Sequence, residues 1–163
     1  GGSVAGRNRF ALEVARACVQ AIGAERVGIR LSPYGVFNST GAYADVEAQY
    51  VALVQELSAM GLMYLHVLDH SAMGAPPVPA ALKAQLRSLF AGPFILAGGF
   101  DRDSAEAALA AGQADLIAFA RAFLANPDLV KRMQSGAALN APDMTTFYTP
   151  GPKGYTDYPV LAG

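Results

Sequence analysis

Two short apolar runs ending in small residues are where this chain can do chemistry. Phe94-Ile95-Leu96-Ala97-Gly98-Gly99 is the first, and Asp115-Leu116-Ile117-Ala118-Phe119-Ala120-Arg121 is the second. Each reads as a strand that opens into a helical segment. Small residues at a strand end leave backbone N–H groups bare, so they can approach a phosphate closely. Arg121 adds charge at the second end, where a guanidinium can pair bidentately with phosphate oxygens. In a (β/α) barrel the loops after the last two strands are the usual seat of phosphate. The pattern points to a phosphorylated cofactor.

Other residues offer weaker signals. Arg30 closes an apolar run just before Ser32-Pro33. It suits a site at a strand end, and the alternative is an ion pair with Glu25 or Asp45. His66 and His70 flank Asp69, but two histidines without a third ligand are a poor zinc site. A hydrogen-bonded role in a pocket or loop is expected for them, and no metal. Cys18 falls in a helical pattern with Phe10 and Val14, which suggests a small core residue rather than a nucleophile.

Alternating helices and strands must position these groups. Phe10, Leu12, Val14, Val19 and Ile22 recur at helical spacing over residues 7–22, and Gly23 stops the run. Val27 to Leu31 reads as a strand, and Asp45 is placed to cap a helix over 46–59. A strand over 63–68 follows, then a helix opened by Pro76-Pro77-Val78-Pro79 and ended by Gly92-Pro93. A strand over 94–98, a helix capped by Asp101 or Asp103, a strand over 115–120 and a helix over 126–134 complete the series. Residues from about 137 read as an irregular tail. Continuously apolar strands separated by helices imply right-handed βαβ units in a parallel sheet. No linker or low-complexity segment interrupts residues 1–163, so a single domain is expected. Four strands do not close a barrel of this kind, and apolar parallel edges invite a second chain or a second copy.

Composition narrows the classes. The 163 residues are 53% hydrophobic and 15% charged, with a net charge of −1. That balance argues against disorder and against nucleic acid or an anionic membrane as partner. No apolar run approaches the ~18 residues of a membrane span, and a single cysteine makes no internal disulfide. A cytoplasmic protein is the expectation. The start at Gly1-Gly2-Ser3 without Met suggests a processed, engineered or partial chain.

Several segments together resemble one family. They are Gly1-Gly2-Ser3-Val4, Arg26-Val27-Gly28-Ile29-Arg30-Leu31-Ser32-Pro33, Ile95-Leu96-Ala97-Gly98-Gly99-Phe100, Ala118-Phe119-Ala120-Arg121-Ala122-Phe123, Asn126-Pro127-Asp128-Leu129, Thr146-Phe147-Tyr148 and Lys153-Gly154-Tyr155-Thr156-Asp157-Tyr158-Pro159. In this order they resemble the Old Yellow Enzyme family, flavin-dependent ene reductases on a TIM (β/α)8 barrel. The resemblance implies an α/β chain that is the C-terminal half of that barrel, four βα units equivalent to strands 5–8. It implies FMN as cofactor, NAD(P)H as reductant, and activated alkenes such as enones and nitroalkenes as small-molecule substrates.

The same resemblance assigns roles. Arg30 would face the flavin N1–O2 region, where a fixed positive charge stabilises reduced flavin. Gly98, Gly99, Ala120 and Arg121 would hold the phosphate, Phe147 would pack near the dimethylbenzene edge, and Tyr148 would wall the substrate pocket. Tyr155 and Tyr158 are expected to be structural anchors. The family's substrate-binding histidine pair and proton-donating tyrosine lie upstream, so no catalytic residue is expected in this half. A complementary N-terminal half-barrel would supply them. The family usually has Gly-Arg-Pro where this chain has Ala120-Arg121-Ala122, and Glu-Asn-Arg where it has Ala5-Gly6-Arg7. These departures predict weaker phosphate binding and a looser first helical turn. The competing reading is a non-catalytic half-barrel that self-associates through its open edges.

Overall fold

The computed structural model describes residues 1–162. They form two compact units, Gly1–Ala118 and Phe119–Gly163. The first unit contains α1 (Val4–Ile22), β1 (Gly28–Leu31), α2 (Val46–Ala59), β2 (Tyr64–Leu68), α3 (Ala80–Leu89), β3 (Phe94–Ala97), α4 (Arg102–Ala110) and β4 (Leu116–Ala118). The strands make one parallel sheet in the order β1-β2-β3-β4. That order is what successive right-handed βαβ units give.

Leu31, Leu65, Val67, Phe94 and Leu96 turn one face of the sheet onto Leu53, Val54, Leu57, Leu82 and Leu86. The opposite face carries the intervening residues. Arg30 pairs in register with His66, His66 with Ile95, and Ile95 with Leu116. Side chains alternate along a strand, so this row points away from the core.

Local chemistry explains the helix starts. The Ser3 hydroxyl accepts from the Gly6 N–H at 3.1 Å and starts α1 at residue 4. A side chain at Gly6 would meet the carbonyl of Gly1, so the turn leaves room only for glycine there. Asp101, not Asp103, caps α4: it accepts from Ser104 N–H at 2.8 Å, and the Ser104 side chain reaches back to the Asp101 N–H at 3.0 Å. Asp45 precedes α2 but caps nothing; its carboxylate lies 3.4 Å from the Arg7 guanidinium.

Three expectations change. Strand β4 is only three residues long, and the predicted strand residues 119 and 120 lie outside it. A short helix, α5 (Arg121–Ala125), precedes α6 (Leu129–Ser135), where the sequence pattern suggested one helix from 126. Cys18 is exposed, not core, and so are Phe10 at 77% and Val14 at 46%. They share an apolar groove with Val27, Gly28, Ile29 and Leu62 beside β1. The apolar stripe of α1 is real, but β1 is an edge strand and no described element of this unit covers the outer part of the stripe.

The second unit is built on buried polar side chains. Fully buried Asn126 donates to the carbonyls of Ala122 at 2.9 Å and Asn140 at 3.2 Å and accepts from Asn140 N–H at 2.7 Å. Arg132 is 5% exposed, pairs with Asp128 at 2.7 Å, and donates to the carbonyls of Ala138 and Pro159. The Tyr158 hydroxyl accepts from Asp143 N–H and the Tyr155 hydroxyl from Tyr148 N–H, so both tyrosines tie the tail down. Among the described residues no helix is long and apolar enough to cross a membrane.

Candidate functional site

Arg30 is an exposed cation one residue before the end of β1, on the face turned from the core. Glu25 pairs with Arg26 at 3.3 Å and Asp45 with Arg7, so neither carboxylate considered as its partner is available. Among the described residues seven basic side chains have a carboxylate within 4 Å. Arg30 and Arg121 are not among them. A guanidinium left unpaired at a strand end is ready for an external anion or acceptor.

His66 stands beside Arg30 in register. Burial and the Arg30 charge both push its pKa below the ordinary histidine value, so it is neutral at neutral pH. Its Nε2 is buried and has no hydrogen-bond partner, and the same holds for His70 Nδ1. The expectation of hydrogen-bonded histidines therefore fails for these atoms. The His70 ring packs edge-on against Phe37, with centroids 5.0 Å apart. Burial first, and then Arg30, lowers the His70 pKa, against an opposing effect of Asp69.

Asp69 does not join the histidines as a ligand. Its carboxylate accepts from Ser71 N–H at 2.9 Å, Val78 N–H at 3.2 Å and Lys83 Nζ at 3.2 Å. Among the described residues no group of three metal-binding side chains comes together.

Gly98 and Gly99 follow β3 with φ of 110° and 72°. Both conformations suit glycine. The Gly98 position is closed to any side chain by the Asp69 carbonyl, whereas Gly99 has only Ala72 within contact range. The loop is bare backbone at the C-terminal end of the sheet, as close approach by a phosphate demands.

The second unit holds the remaining candidates. Ala120 precedes α5 with φ −101°, so alanine carries no left-handed strain there. Arg121 is the first residue of α5 and half-buried. Phe147 and Tyr148 pack edge to face with centroids 6.3 Å apart. Tyr148 has φ 62° and is 96% exposed, so its ring anchors nothing in this unit. A bulky residue held in that conformation with its ring in solvent is a genuine outlier. Sequence reasoning missed the roles of Asp69 and His66. The signal for Asp69 was an acid at a strand end with Lys83 in the next helix, which no short spacing rule detects.

Within the first unit, a guanidinium without a carboxylate partner, an orphan imidazole nitrogen and a glycine loop of bare backbone suit an anionic ligand. Comparison with known proteins agrees in kind. The family model described as NADH:flavin oxidoreductase / NADH oxidase matches residues 1–140. The chain is 43% identical over 164 residues to 12-oxophytodienoate reductase 2 of Arabidopsis thaliana, covering 99% of this chain and 44% of that protein. It is 43% identical to chanoclavine-I aldehyde reductase fgaOx3 of Penicillium roqueforti (strain FM164), covering 99% of this chain and 46% of that one. Among solved structures, morphinone reductase superposes with a TM-score of 0.92 at 43% identity, over 99% of this chain and 43% of its own. A structure of morphinone reductase in complex with tetrahydroNAD superposes at 0.89. The chain thus spans under half the length of each of these relatives, and its α/β units are half of a TIM (β/α)8 barrel. The chain belongs to the NADH:flavin oxidoreductase / NADH oxidase family, in agreement with its Old Yellow Enzyme resemblance.

Proposed function

We propose that this chain is the FMN-binding half of an NAD(P)H-dependent ene reductase, completed by an N-terminal half-barrel. The observation that carries the reading is Arg30, a guanidinium at a strand end whose two candidate carboxylate partners, Glu25 and Asp45, are both engaged elsewhere. Gly98, Gly99 and Ala120 would offer backbone N–H groups to the phosphate, and Arg121 a guanidinium. Arg30 would hold a positive charge against the electron-rich ring edge, Phe147 would contact the ring's apolar edge, and Tyr148 would close the substrate side. When bound, FMN supplies hydride transfer from a reduced nicotinamide to the β-carbon of an activated alkene. This chain's residues bind and orient the cofactor and fix the charge around it. Polarisation of the substrate carbonyl or nitro group and delivery of the proton fall to the other half. The site of action in this reading is the cytoplasm.

Co-expression with the N-terminal segment of a matched relative tests the reading. The expected product is a yellow complex that releases flavin on denaturation and oxidises NAD(P)H only when an enone or nitroalkene is present. A colourless preparation that runs at twice the mass of the chain, and stays colourless with added FMN and the other half, would refute it. That result would favour the self-associating module.

A further inference from the structure

The loop after β2 supports the Gly98-Gly99 loop. Asp69 is 8% exposed, and its carboxylate receives three donors from separate places. Ser71 N–H lies at the start of the loop, Val78 N–H lies at its end, and Lys83 Nζ reaches over from α3. One carboxylate thereby ties the loop to itself and to the helix. Burial opposes the charge, but hydrogen bonds from Ser71 and the Lys83 ammonium outweigh it and hold the carboxyl below its ordinary value.

The backbone of the same residue meets the glycine loop. Asp69 N–H donates to the Ala97 carbonyl at 2.9 Å. Its carbonyl packs where a side chain of Gly98 would stand, and Ala72 lies beneath Gly99. Gly98 and Gly99 therefore rest on a surface whose shape depends on a buried, triply bonded carboxylate.

We propose that Asp69, held by Lys83, is the positioning residue for the Gly98-Gly99 loop. It fixes the direction of the two amides offered to a phosphate group and does not touch that group. The ligand in this statement rests on the phosphate reading above, while the support of the loop is independent of it. Neutralising Asp69 weakens all three acceptor contacts at once, and the platform and the amides it carries loosen together.

Amide hydrogen exchange and a titration with inorganic phosphate, both on the 163-residue chain, separate the two parts. Asp69→Asn and Lys83→Met should each speed exchange at the residue-69 amide, which bonds the Ala97 carbonyl beside Gly98 and Gly99, about tenfold relative to the α2 amides of Leu53 and Leu57. Phosphate binding, read from the shifts of the same glycine amides, should weaken by a similar factor. Lys83→Arg, which keeps the charge, should restore both. Exchange at the residue-69 amide that rises only in step with Leu53 and Leu57, or phosphate binding at the glycine amides that does not change, would reduce Asp69 to a general stability element and overturn the proposal. A parent chain whose Gly98 and Gly99 amides ignore phosphate would overturn the phosphate reading alone.

Discussion

Gly98→Ala gives the sharpest test of how the glycine loop is built. At φ 110° an alanine is strained, and its new Cβ would also meet the Asp69 carbonyl, which is backbone and cannot rotate aside. The conformational part costs about 1–2 kcal/mol. The overlap adds about 1–3 kcal/mol, the usual range for forcing a methyl group into a filled site. The sum, about 2–5 kcal/mol, is a large share of the 5–15 kcal/mol that holds a typical domain together. At about 2–4 °C per kcal/mol for a chain of this size, Gly98→Ala should lower the Tm by about 4–20 °C. Gly112→Ala isolates the conformational part, because Gly112 has φ 66° and nothing within 4 Å of the added methyl. That control should melt only about 2–8 °C below the parent. Thermal unfolding followed by circular dichroism measures all three. If Gly98→Ala and Gly112→Ala melt together, the contact between the β2 and β3 loops is not what requires glycine at 98, and the argument from close approach is wrong.

Arg121→Ala should weaken FMN retention more than Arg30→Ala in the completed protein, because phosphate pairing is charge-assisted and each lost contact costs about tenfold or more; the reverse order in a fluorescence titration counts against the phosphate assignment. Acid should destabilise the chain in a defined window. His66 and His70 have folded-state pKa values below 6.5, so the unfolded chain takes up protons first, and stability present above that value declines as pH falls through it. Urea unfolding from about pH 8 to about pH 5 should show the loss, and His66→Asn with His70→Asn should flatten it. Asn126→Ala removes a fully buried amide with three hydrogen bonds and should cost about 2–4 kcal/mol. Its signature is faster proteolysis after residue 137, while the first unit keeps its exchange protection.

What the sequence displays and what it hides follow from the range of each interaction. The four strands are legible because each is a continuous apolar run between turn residues, and the parallel order follows from helices intervening each time. Arg30, Gly98 and Gly99 are legible because they sit where strands end, and chain direction alone places them at one end of the sheet. Helix α5 is hidden because five residues carry barely more than one turn of periodicity, and Asn126-Pro127 marks the start of the next element more loudly. Cys18 and Phe10 mislead for another reason. Periodicity says which face of α1 is apolar, but not whether anything covers it. Asp69 is hidden because its partners are a loop amide and a lysine on another element, brought together only by the fold.

The exposed row of the sheet bears on the choice between the two functional readings. Arg30, His66, Ile95 and Leu116 run across one face, and Arg30 is its only full charge. Whatever covers this row must satisfy a guanidinium taken out of water, since a buried unpaired cation costs several kcal/mol. A second copy related by two-fold symmetry presents the same row in return, which sets cation toward cation with no carboxylate in the contact. A half-barrel that encloses an acceptor-rich ring and a phosphate brings the missing counter-charge with it. The neutral state of His66 fits the second arrangement, because a protonated imidazole beside Arg30 would add to the positive charge that the ligand has to balance. Replacing Arg30 with leucine discriminates between them: it should favour self-association if copies meet on this face, and should weaken flavin retention without promoting dimers if the face closes over a cofactor.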